Sequence, residues 1–289
     1  VGDVSLRATP RVWIDDVQVY PHVKDRTAHV AVAVGNATGK PAEGTLTVQA
    51  ACGDHGPPAL RVPFSVREKG GTIELDLPLG SDARLWDEFS PNVYRLSATL
   101  EGPQGDDEAA VTFGMREFGA DGTQFVLNGR RIFLRGTLEC CIFPLTGYPH
   151  TDVASWTGIF GAVKAHGLNH MRFHSWCPPE AAFAAADGQG VYLHVECAAW
   201  SNQGATIGDG KPIDRFIYEE SERILRAYGN HPSFCMLAYG NEPAGKKQKE
   251  FLGSLVEHWK AKDPRRLYTS AAGWPIIPES DYHSTPKPR

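Results

Sequence analysis

Hydrophobic and polar positions follow two different patterns in the two parts of the chain. Up to about residue 114, apolar and polar residues alternate with a period of two in short segments, for example residues 29–34, 44–49 and 72–77. Clusters of Gly, Pro and Asn separate these segments at intervals typical of the turns of a sandwich. Because no helical period of useful length occurs here, the pattern predicts an all-β sandwich.

The second part of the chain alternates strand-like and helical segments. Short apolar runs predict strands at residues 132–138, 170–173, 191–195, 234–238 and 267–271. The four segments between them have helical spacing; in the first, Trp156, Ile159, Phe160 and Val163 share one face. Such alternation indicates parallel strands joined by right-handed crossovers.

Five strands and four helices are part of a TIM barrel, which has eight of each. An open barrel would leave strand edges unpaired. We therefore expect the chain to be part of a longer polypeptide, or to be completed by another polypeptide. The predicted fold class is multidomain, with a β-sandwich followed by an incomplete (β/α)8 barrel.

Polar and aromatic residues follow each predicted barrel strand, where a parallel barrel places its pocket. The candidate site residues are Glu139, Arg172, His174, Glu196, Trp200, Asn241, Glu242 and Trp274. Carboxylates and amides bind sugar hydroxyls, and indole rings stack on the apolar side of a pyranose. The structural alternatives are a helix cap for Glu242, an ion pair with Arg172 for Glu196, and loop contacts for His174 and Trp274.

Charge narrows the choice of partners. The chain has 29 Lys and Arg against 34 Asp and Glu, and neither sign forms a long block. This argues against nucleic acid or an anionic membrane as the main partner. The sequence has no apolar run long enough to span a bilayer and no signal-peptide pattern. The sequence does not determine the cellular location, although a bacterial periplasmic or secreted location is favoured.

The six cysteines show no Cys-x-x-Cys spacing and are too sparse for a disulfide framework. We interpret them as small buried thiols. Four lie near strand ends, close to His174, Glu139 and Glu196, so a metal site is an alternative; we predict none, and we expect no cofactor.

Two motifs around the fourth predicted strand resemble a known family. Residues 226–233 read Arg-Ala-Tyr-Gly-Asn-His-Pro-Ser, and residues 240–242 read Gly-Asn-Glu. They resemble the signature of glycoside hydrolase family 2, the β-galactosidase and β-glucuronidase group. The hairpin with an Asn-Gly turn at residues 128–129 and the Leu-Trp segment at 83–96 resemble the same family. The resemblance implies an immunoglobulin-like sandwich at residues 1–118 and the N-terminal portion of a TIM-barrel catalytic domain at 119–289.

The resemblance also implies roles. It makes Glu242 the general acid/base and Asn241 its neighbour that contacts the sugar 2-hydroxyl. Arg172 aligns with the second-strand motif of the family, but His174 stands one place early, so either His174 or Trp176 faces the sugar. The family nucleophile is a second Glu after strand seven, which we expect beyond Arg289.

We therefore predict a retaining exo-glycosidase that hydrolyses a β-linked terminal sugar of the β-galactoside or β-glucuronide class. The alternative is a non-catalytic carbohydrate-binding or scaffold fragment of such an enzyme. The expected partner is a carbohydrate substrate, with further domains of the same polypeptide or a homo-oligomer as additional partners.

Overall fold

The computed structural model describes residues 4–200 and 205–285, and the chain divides into two compact units, Val1–Glu117 and Phe118–Arg289. The described strands of the first unit are β1 (Val12–His22), β2 (Thr27–Asn36), β3 (Ala42–Ala51), β4 (Leu60–Val66), β5 (Gly71–Pro78), β6 (Tyr94–Glu101) and β7 (Asp107–Phe113). They form two antiparallel sheets, with the orders β1-β2-β5 and β4-β3-β6-β7. The predicted β-sandwich is confirmed.

The period of two in the sequence explains how the sandwich is packed. Along β2, alternate residues such as Val30 and Val32 are fully buried, while the residues between them are partly exposed. Trp86 and Tyr94 are fully buried, and the Tyr94 hydroxyl accepts a hydrogen bond from the Arg84 backbone N–H at 2.7 Å. Both aromatic residues therefore belong to the core, and their polar atoms do not face solvent.

A small antiparallel sheet begins the second unit, with strands β8 (Phe118–Asp121), β9 (Gln124–Leu127) and β10 (Arg130–Ile132). Asn128 and Gly129 form its two-residue turn with φ angles of 51° and 76°, the left-handed conformation that this turn requires. The predicted hairpin is confirmed.

The nine remaining elements alternate as predicted: β11 (Gly136–Glu139), α1 (Val153–Ala165), β12 (His170–Phe173), α2 (Glu180–Gln189), β13 (Tyr192–Glu196), α3 (Pro212–Tyr228), β14 (Phe234–Ala238), α4 (Gln248–Lys262) and β15 (Leu267–Thr269). The five strands pair in parallel and in chain order. The prediction of part of a TIM barrel is confirmed. No helix of the described residues is long and apolar enough to cross a membrane.

The start predicted for the first barrel strand, residue 132, is wrong. Residues 130–132 pair with β9 in the hairpin, and the barrel strand begins only at Gly136. At that glycine, a Cβ atom would lie 2.6 Å from the His170 ring on the neighbouring strand. The close approach of these two strands explains why a glycine begins β11.

The Asn-His-Pro-Ser motif lies at the amino end of β14, away from the strand end that carries the candidate site. His231 Nδ1 is 2.6 Å from an Asp187 carboxylate oxygen, and the Ser233 backbone N–H donates to the other oxygen at 3.0 Å. Burial lowers the pKa of His231, but the negative charge of Asp187 and its hydrogen bond together outweigh burial, so the pKa is raised above its ordinary value. The motif therefore fastens α2 to β14.

The interpretation of the cysteines as buried thiols is only partly confirmed. Cys52, Cys197 and Cys235 are buried, and Cys177 is partly buried. For Cys140 and Cys141 the interpretation is wrong, because the loop that follows β11 leaves both of them exposed. All six cysteines are free thiols.

Candidate functional site

Backbone hydrogen bonds hold the carboxyl ends of β13, β14 and β15 together beyond the strands themselves. The Asn241 N–H donates to the Ala199 carbonyl and the Glu242 N–H donates to the Ala272 carbonyl, each at 2.9 Å. Isolated parallel bridges join Asn241 to Trp200 on one side and to Ala272 on the other. Residues that are far apart in sequence therefore meet at one edge of the sheet, where ligands bind in parallel α/β folds.

Two glycines, Gly240 and Gly273, allow this close approach. A Cβ at Gly240 would lie 2.0 Å from the Ala199 carbonyl oxygen, and a Cβ at Gly273 would lie 3.1 Å from Glu242 Cγ. Glu242 itself has a φ of 45°, in the left-handed region that costs an ordinary residue about 1 kcal/mol. Strain of this kind is concentrated at functional sites, so the conformation supports a role for Glu242.

Arg172 connects two other candidate residues. Its Nε donates to Glu196 Oε1 at 2.6 Å, and its Nη2 donates to Asn241 Oδ1 at 2.9 Å. The second oxygen of Glu196 accepts from the Ser175 backbone N–H at 2.6 Å, and Glu196 is fully buried. The ion pair considered from the sequence for Glu196 is therefore present. Its carboxylate is occupied by these contacts and neutralises the Arg172 charge.

The contact with Arg172 orients the Asn241 amide. Because the amide oxygen accepts from the guanidinium, the amide NH2 is the group left to bind a ligand. Such a donor can bind a hydroxyl oxygen of a sugar. The geometry therefore permits the role that the family resemblance gives to Asn241, which remains a prediction.

Glu242 contacts Trp200, and Trp200 contacts His174. The Trp200 indole N–H donates to Glu242 Oε2 at 3.0 Å. The His174 ring lies edge-on to the Trp200 ring, with centroids 4.9 Å apart, and His174 Nδ1 is 3.1 Å from the Ser175 hydroxyl. Trp200 is still 54% exposed, so both its ring and Glu242 lie at a surface that a ligand can reach.

The two residues considered for the second strand end have different surroundings. His174 contacts Trp200 next to Glu242, whereas Trp176 packs edge-on against Phe173 at 5.3 Å and lies 6.5 Å from the Trp156 ring. Since Trp156 is fully buried in the barrel core, Trp176 packs against that core. The contacts therefore favour His174 as the residue that faces a ligand.

Glu139 and Trp274 lie at the ends of the outer strands. The Glu139 carboxylate accepts from the backbone N–H groups of Cys141 at 2.8 Å and Ile142 at 3.2 Å, so it holds the loop after β11. The Trp274 indole N–H donates to the Pro243 carbonyl at 2.8 Å, and Trp274 is 43% exposed. Their predicted sugar-binding roles remain predictions.

Sequence reasoning missed four residues next to this network. The Ser175 backbone N–H donates to Glu196. The type of side chain at position 175 does not predict a contact made by the backbone. The Tyr282 hydroxyl lies 3.0 Å from His194 Nε2, and the His194 ring stacks on His170 with centroids 6.3 Å apart. Burial lowers the pKa of His170 to about 4 and that of His194 well below its ordinary value. These histidines are therefore neutral at pH 7.

The described residues contain no group of three or more His, Cys, Asp or Glu side chains that could hold a metal ion. Near the candidate site, Glu139 and Glu196 use their carboxylates for backbone N–H groups and for Arg172. The described site offers carboxylates, an amide and aromatic rings to a ligand.

The fold and these strand-end residues define part of a TIM-barrel domain, with a candidate site at the carboxyl ends of its strands. The family model for glycosyl hydrolases family 2 matches residues 12–116, and the model for the TIM barrel domain of the same family matches residues 120–281. The chain belongs to glycosyl hydrolase family 2, and the resemblance seen in its motifs is confirmed.

Individual relatives agree with this assignment. A putative beta-glucuronidase of Formosa agariphila is 28% identical over 196 residues, covering 66% of this chain and 18% of the relative. Beta-galactosidase 2 of Enterobacter cloacae is 26% identical over 209 residues, covering 70% of this chain and 20% of the relative. The chain thus spans about a fifth of the length of these relatives.

A solved structure shares the fold. The crystal structure of a GH2 beta-galacturonidase from Eisenbergiella tayi superimposes with a TM-score of 0.77 and 20% identity. The match covers 91% of this chain and 46% of that protein. At this level of identity the likeness supports the architecture, which the family models identify independently.

Proposed function

We propose that this chain carries the general acid/base of a retaining β-glycosidase that releases a terminal sugar of the β-galactoside or β-glucuronide class. The observation that carries the proposal is the position of Glu242. Its carboxylate lies at the carboxyl end of β14, beside the oriented amide of Asn241 and in contact with a partly exposed indole. Relatives named as beta-glucuronidase and beta-galactosidase support the substrate class.

In this mechanism Glu242 transfers one proton in each of two steps. The protonated carboxyl gives its proton to the glycosidic oxygen while the bond from that oxygen to the anomeric carbon breaks. The resulting carboxylate then accepts a proton from the water that attacks the glycosyl-enzyme. Asn241 donates its amide N–H to the 2-hydroxyl, an interaction that strengthens in the transition state of such enzymes.

The nucleophile is a second carboxylate, which in retaining enzymes lies about 5 Å from the acid. Within the described residues, the carboxylates of Glu139 and Glu196 already accept hydrogen bonds from the backbone or from Arg172. Neither carboxylate is therefore proposed as the nucleophile. The expectation of a glutamate beyond Arg289 remains a prediction.

The first prediction tests the acid/base role by replacing Glu242 with Gln in the full-length protein. Hydrolysis of an aryl β-glycoside with a poor leaving group should fall by about 100-fold or more, because general acid catalysis contributes that much. A substrate whose leaving group needs no protonation should lose much less in the glycosylation step. Initial rates and burst kinetics with a series of aryl glycosides measure both effects.

The control is Glu250→Gln, which changes an exposed glutamate in the first turn of α4. It should hydrolyse every substrate at the wild-type rate. If the Glu242 variant retains the wild-type rate on the poor leaving group, Glu242 is not the general acid.

The non-catalytic alternative is supported by one observation, namely that the carboxylates of both Glu139 and Glu196 are used in structural contacts. A carbohydrate-binding fragment would need no nucleophile. Calorimetric titration of the wild type and the Glu242 variant with an oligosaccharide separates the two functions. Binding by both proteins, without hydrolysis by the wild-type full-length protein, would favour the alternative.

A further inference from the structure

The contact between Trp200 and Glu242 has a chemical consequence, which rests on the proposed function. An indole N–H is a donor only; it can neither accept a proton nor exchange roles with the carboxyl group. Glu242 Oε2, at 3.0 Å, therefore acts as an acceptor toward Trp200 whether Glu242 is ionised or protonated. When Glu242 is protonated, the proton is left to the other oxygen, Oε1.

We infer that Trp200 is a positioning residue for the general acid: it holds Oε2, so that Oε1 carries the proton given to the leaving group. During bond cleavage the Oε1–H proton moves to the glycosidic oxygen, and the negative charge appears on the Glu242 carboxylate. The Trp200 N–H then donates to a charged acceptor, which makes this hydrogen bond stronger than in the acid form. The same oxygen, Oε1, later accepts the proton from water.

Three neighbouring residues contact Trp200 or approach Glu242. Trp200 bridges to the backbone of Asn241, and its ring is met edge-on by His174. A Cβ atom at Gly273 would lie 3.1 Å from Glu242 Cγ, so this glycine approaches the Glu242 side chain closely. A carboxyl group held in this way is pre-organised, and pre-organised groups lose little free energy to reorientation during the reaction.

The exposure of Trp200 suggests when the hydrogen bond acts. In the free protein, water competes for a contact between a tryptophan that is 54% exposed and a surface carboxylate. A bound glycoside excludes that water, and a hydrogen bond is stronger in a drier site. The effect should therefore be larger in kcat, which reports the bound state, than in substrate affinity.

Among the described residues, the titratable and charged groups near these strand ends include Arg172, His174, Glu139 and Glu196, and Tyr282 interacts electrostatically with Glu196 and Arg172. Arg172 and Glu196 neutralise each other, and Glu139 accepts backbone hydrogen bonds. His174 contacts the Trp200 ring and the Ser175 hydroxyl. The pH profiles are therefore compared between variants that all retain His174.

The second prediction tests this inference with Trp200→Phe, which keeps an aromatic ring and removes the N–H. In the full-length protein, kcat for a poor leaving group should fall by about 10-fold, whereas kcat for an activated leaving group should change by less than about threefold. The alkaline limb of the pH profile should move to higher pH, because the ionised form of Glu242 loses a hydrogen bond.

Trp274→Phe is the matched control, because its indole N–H donates to a backbone carbonyl and not to a carboxylate. Whatever its effect on KM, it should leave the leaving-group dependence and the pH profile unchanged. A Trp200→Phe variant with a raised KM but wild-type leaving-group dependence and pH profile would overturn the inference and make Trp200 a sugar-binding residue.

The outcome for Glu242→Gln separates the two proposals. If that variant retains hydrolysis of poor leaving groups, the proposed function itself fails. If it is inactive on them while Trp200→Phe behaves as the wild type, only the role of Trp200 is overturned.

Discussion

Arg172 shows how one residue can organise a site. A guanidinium has donors on more than one edge, and here Nε binds Glu196 while Nη2 binds Asn241. A lysine has a single nitrogen and could not reproduce the two directions. The buried carboxylate of Glu196 is needed to keep this arginine in place, although Glu196 itself does not face solvent.

The third prediction concerns the stability that depends on this pair. Replacing Arg172 with Met leaves the buried Glu196 carboxylate without its cation, so the free energy of unfolding should fall by about 3 kcal/mol. Urea unfolding measures the loss. The control is Arg215→Met, which removes an exposed partner of Glu219 on α3 and should cost less than about 0.5 kcal/mol. Equal effects of the two variants would show that the Arg172–Glu196 pair contributes no more than a surface pair.

At the scale of elements, a buried ion pair between Asp187 and His231 joins α2 to the start of β14. Asp187 lies on the buried face of α2, and His231 lies in the turn before β14. The Phe183 ring stacks on His231 with centroids 5.3 Å apart. Because the pair fixes the start of β14, it also fixes the position of Asn241 and Glu242 at the other end.

The fourth prediction concerns this pair. Replacing Asp187 with Asn should lower the free energy of unfolding by about 2 kcal/mol at pH 6, where His231 is charged. The pKa of His231 is raised in the folded state, so the stabilisation is complete below the unfolded pKa and is lost as pH rises through the folded pKa. The difference between wild type and variant should therefore be smaller at pH 9 than at pH 6.

Asp76→Asn provides the control, because Asp76 is the exposed partner of His29 in the sandwich. It should change the free energy of unfolding by less than about 0.5 kcal/mol at either pH. A difference between wild type and the Asp187 variant that does not depend on pH would contradict the assignment of a charged His231.

The elements were more predictable than the contacts between them. The apolar run of β14 and the strand β12 have the predicted bounds because buried parallel strands are continuous hydrophobic runs. The predicted start of the first barrel strand was wrong because residues 130–132 pair with β9 in the hairpin. The sequence did not indicate that Asp187 is buried, because a single acidic residue in an Ala-rich helix is usually exposed.

The candidate site was predictable as a set of strand ends but not as a network. Topology alone brings Arg172, Glu196 and Asn241 to one edge of the sheet. Which nitrogen binds which oxygen depends on side-chain rotamers and on the left-handed conformations of Ser175 and Glu242. Those conformations are set by tertiary packing, which a local sequence pattern does not encode.

At the scale of the whole molecule, three histidines with shifted pKa values give the stability of the chain a pH dependence with two opposing limbs. His231 contributes stability that is lost as pH rises, as described above. His170 has the opposite sign, because burial lowers its pKa in the folded state to about 4. Burial also lowers the pKa of His194, so His194 likewise contributes stability that is lost as pH falls. Stability should therefore be highest near neutral pH.

The fifth prediction isolates the acidic limb with His170→Asn. Between pH 6.5 and 4 the unfolded chain binds a proton at residue 170 and the folded chain does not, so wild-type stability falls as pH decreases, by up to about 2.5 kcal/mol at pH 4.5. The Asn side chain can still donate to the Tyr192 carbonyl, which His170 Nδ1 contacts at 2.9 Å, but it does not titrate. Urea unfolding at pH 7 and 4.5 should show a smaller acid-induced loss for this variant than for wild type.

The control is His258→Asn, which removes a histidine that contacts Glu222 and lies outside the barrel core. It should lose as much stability as wild type between the two pH values. An acid-induced loss in His170→Asn equal to that of wild type would mean that His170 is protonated in the folded state well above pH 4. In that case the acidic limb would have to come from His194 or from carboxylates, whose folded-state hydrogen bonds are likewise lost on protonation.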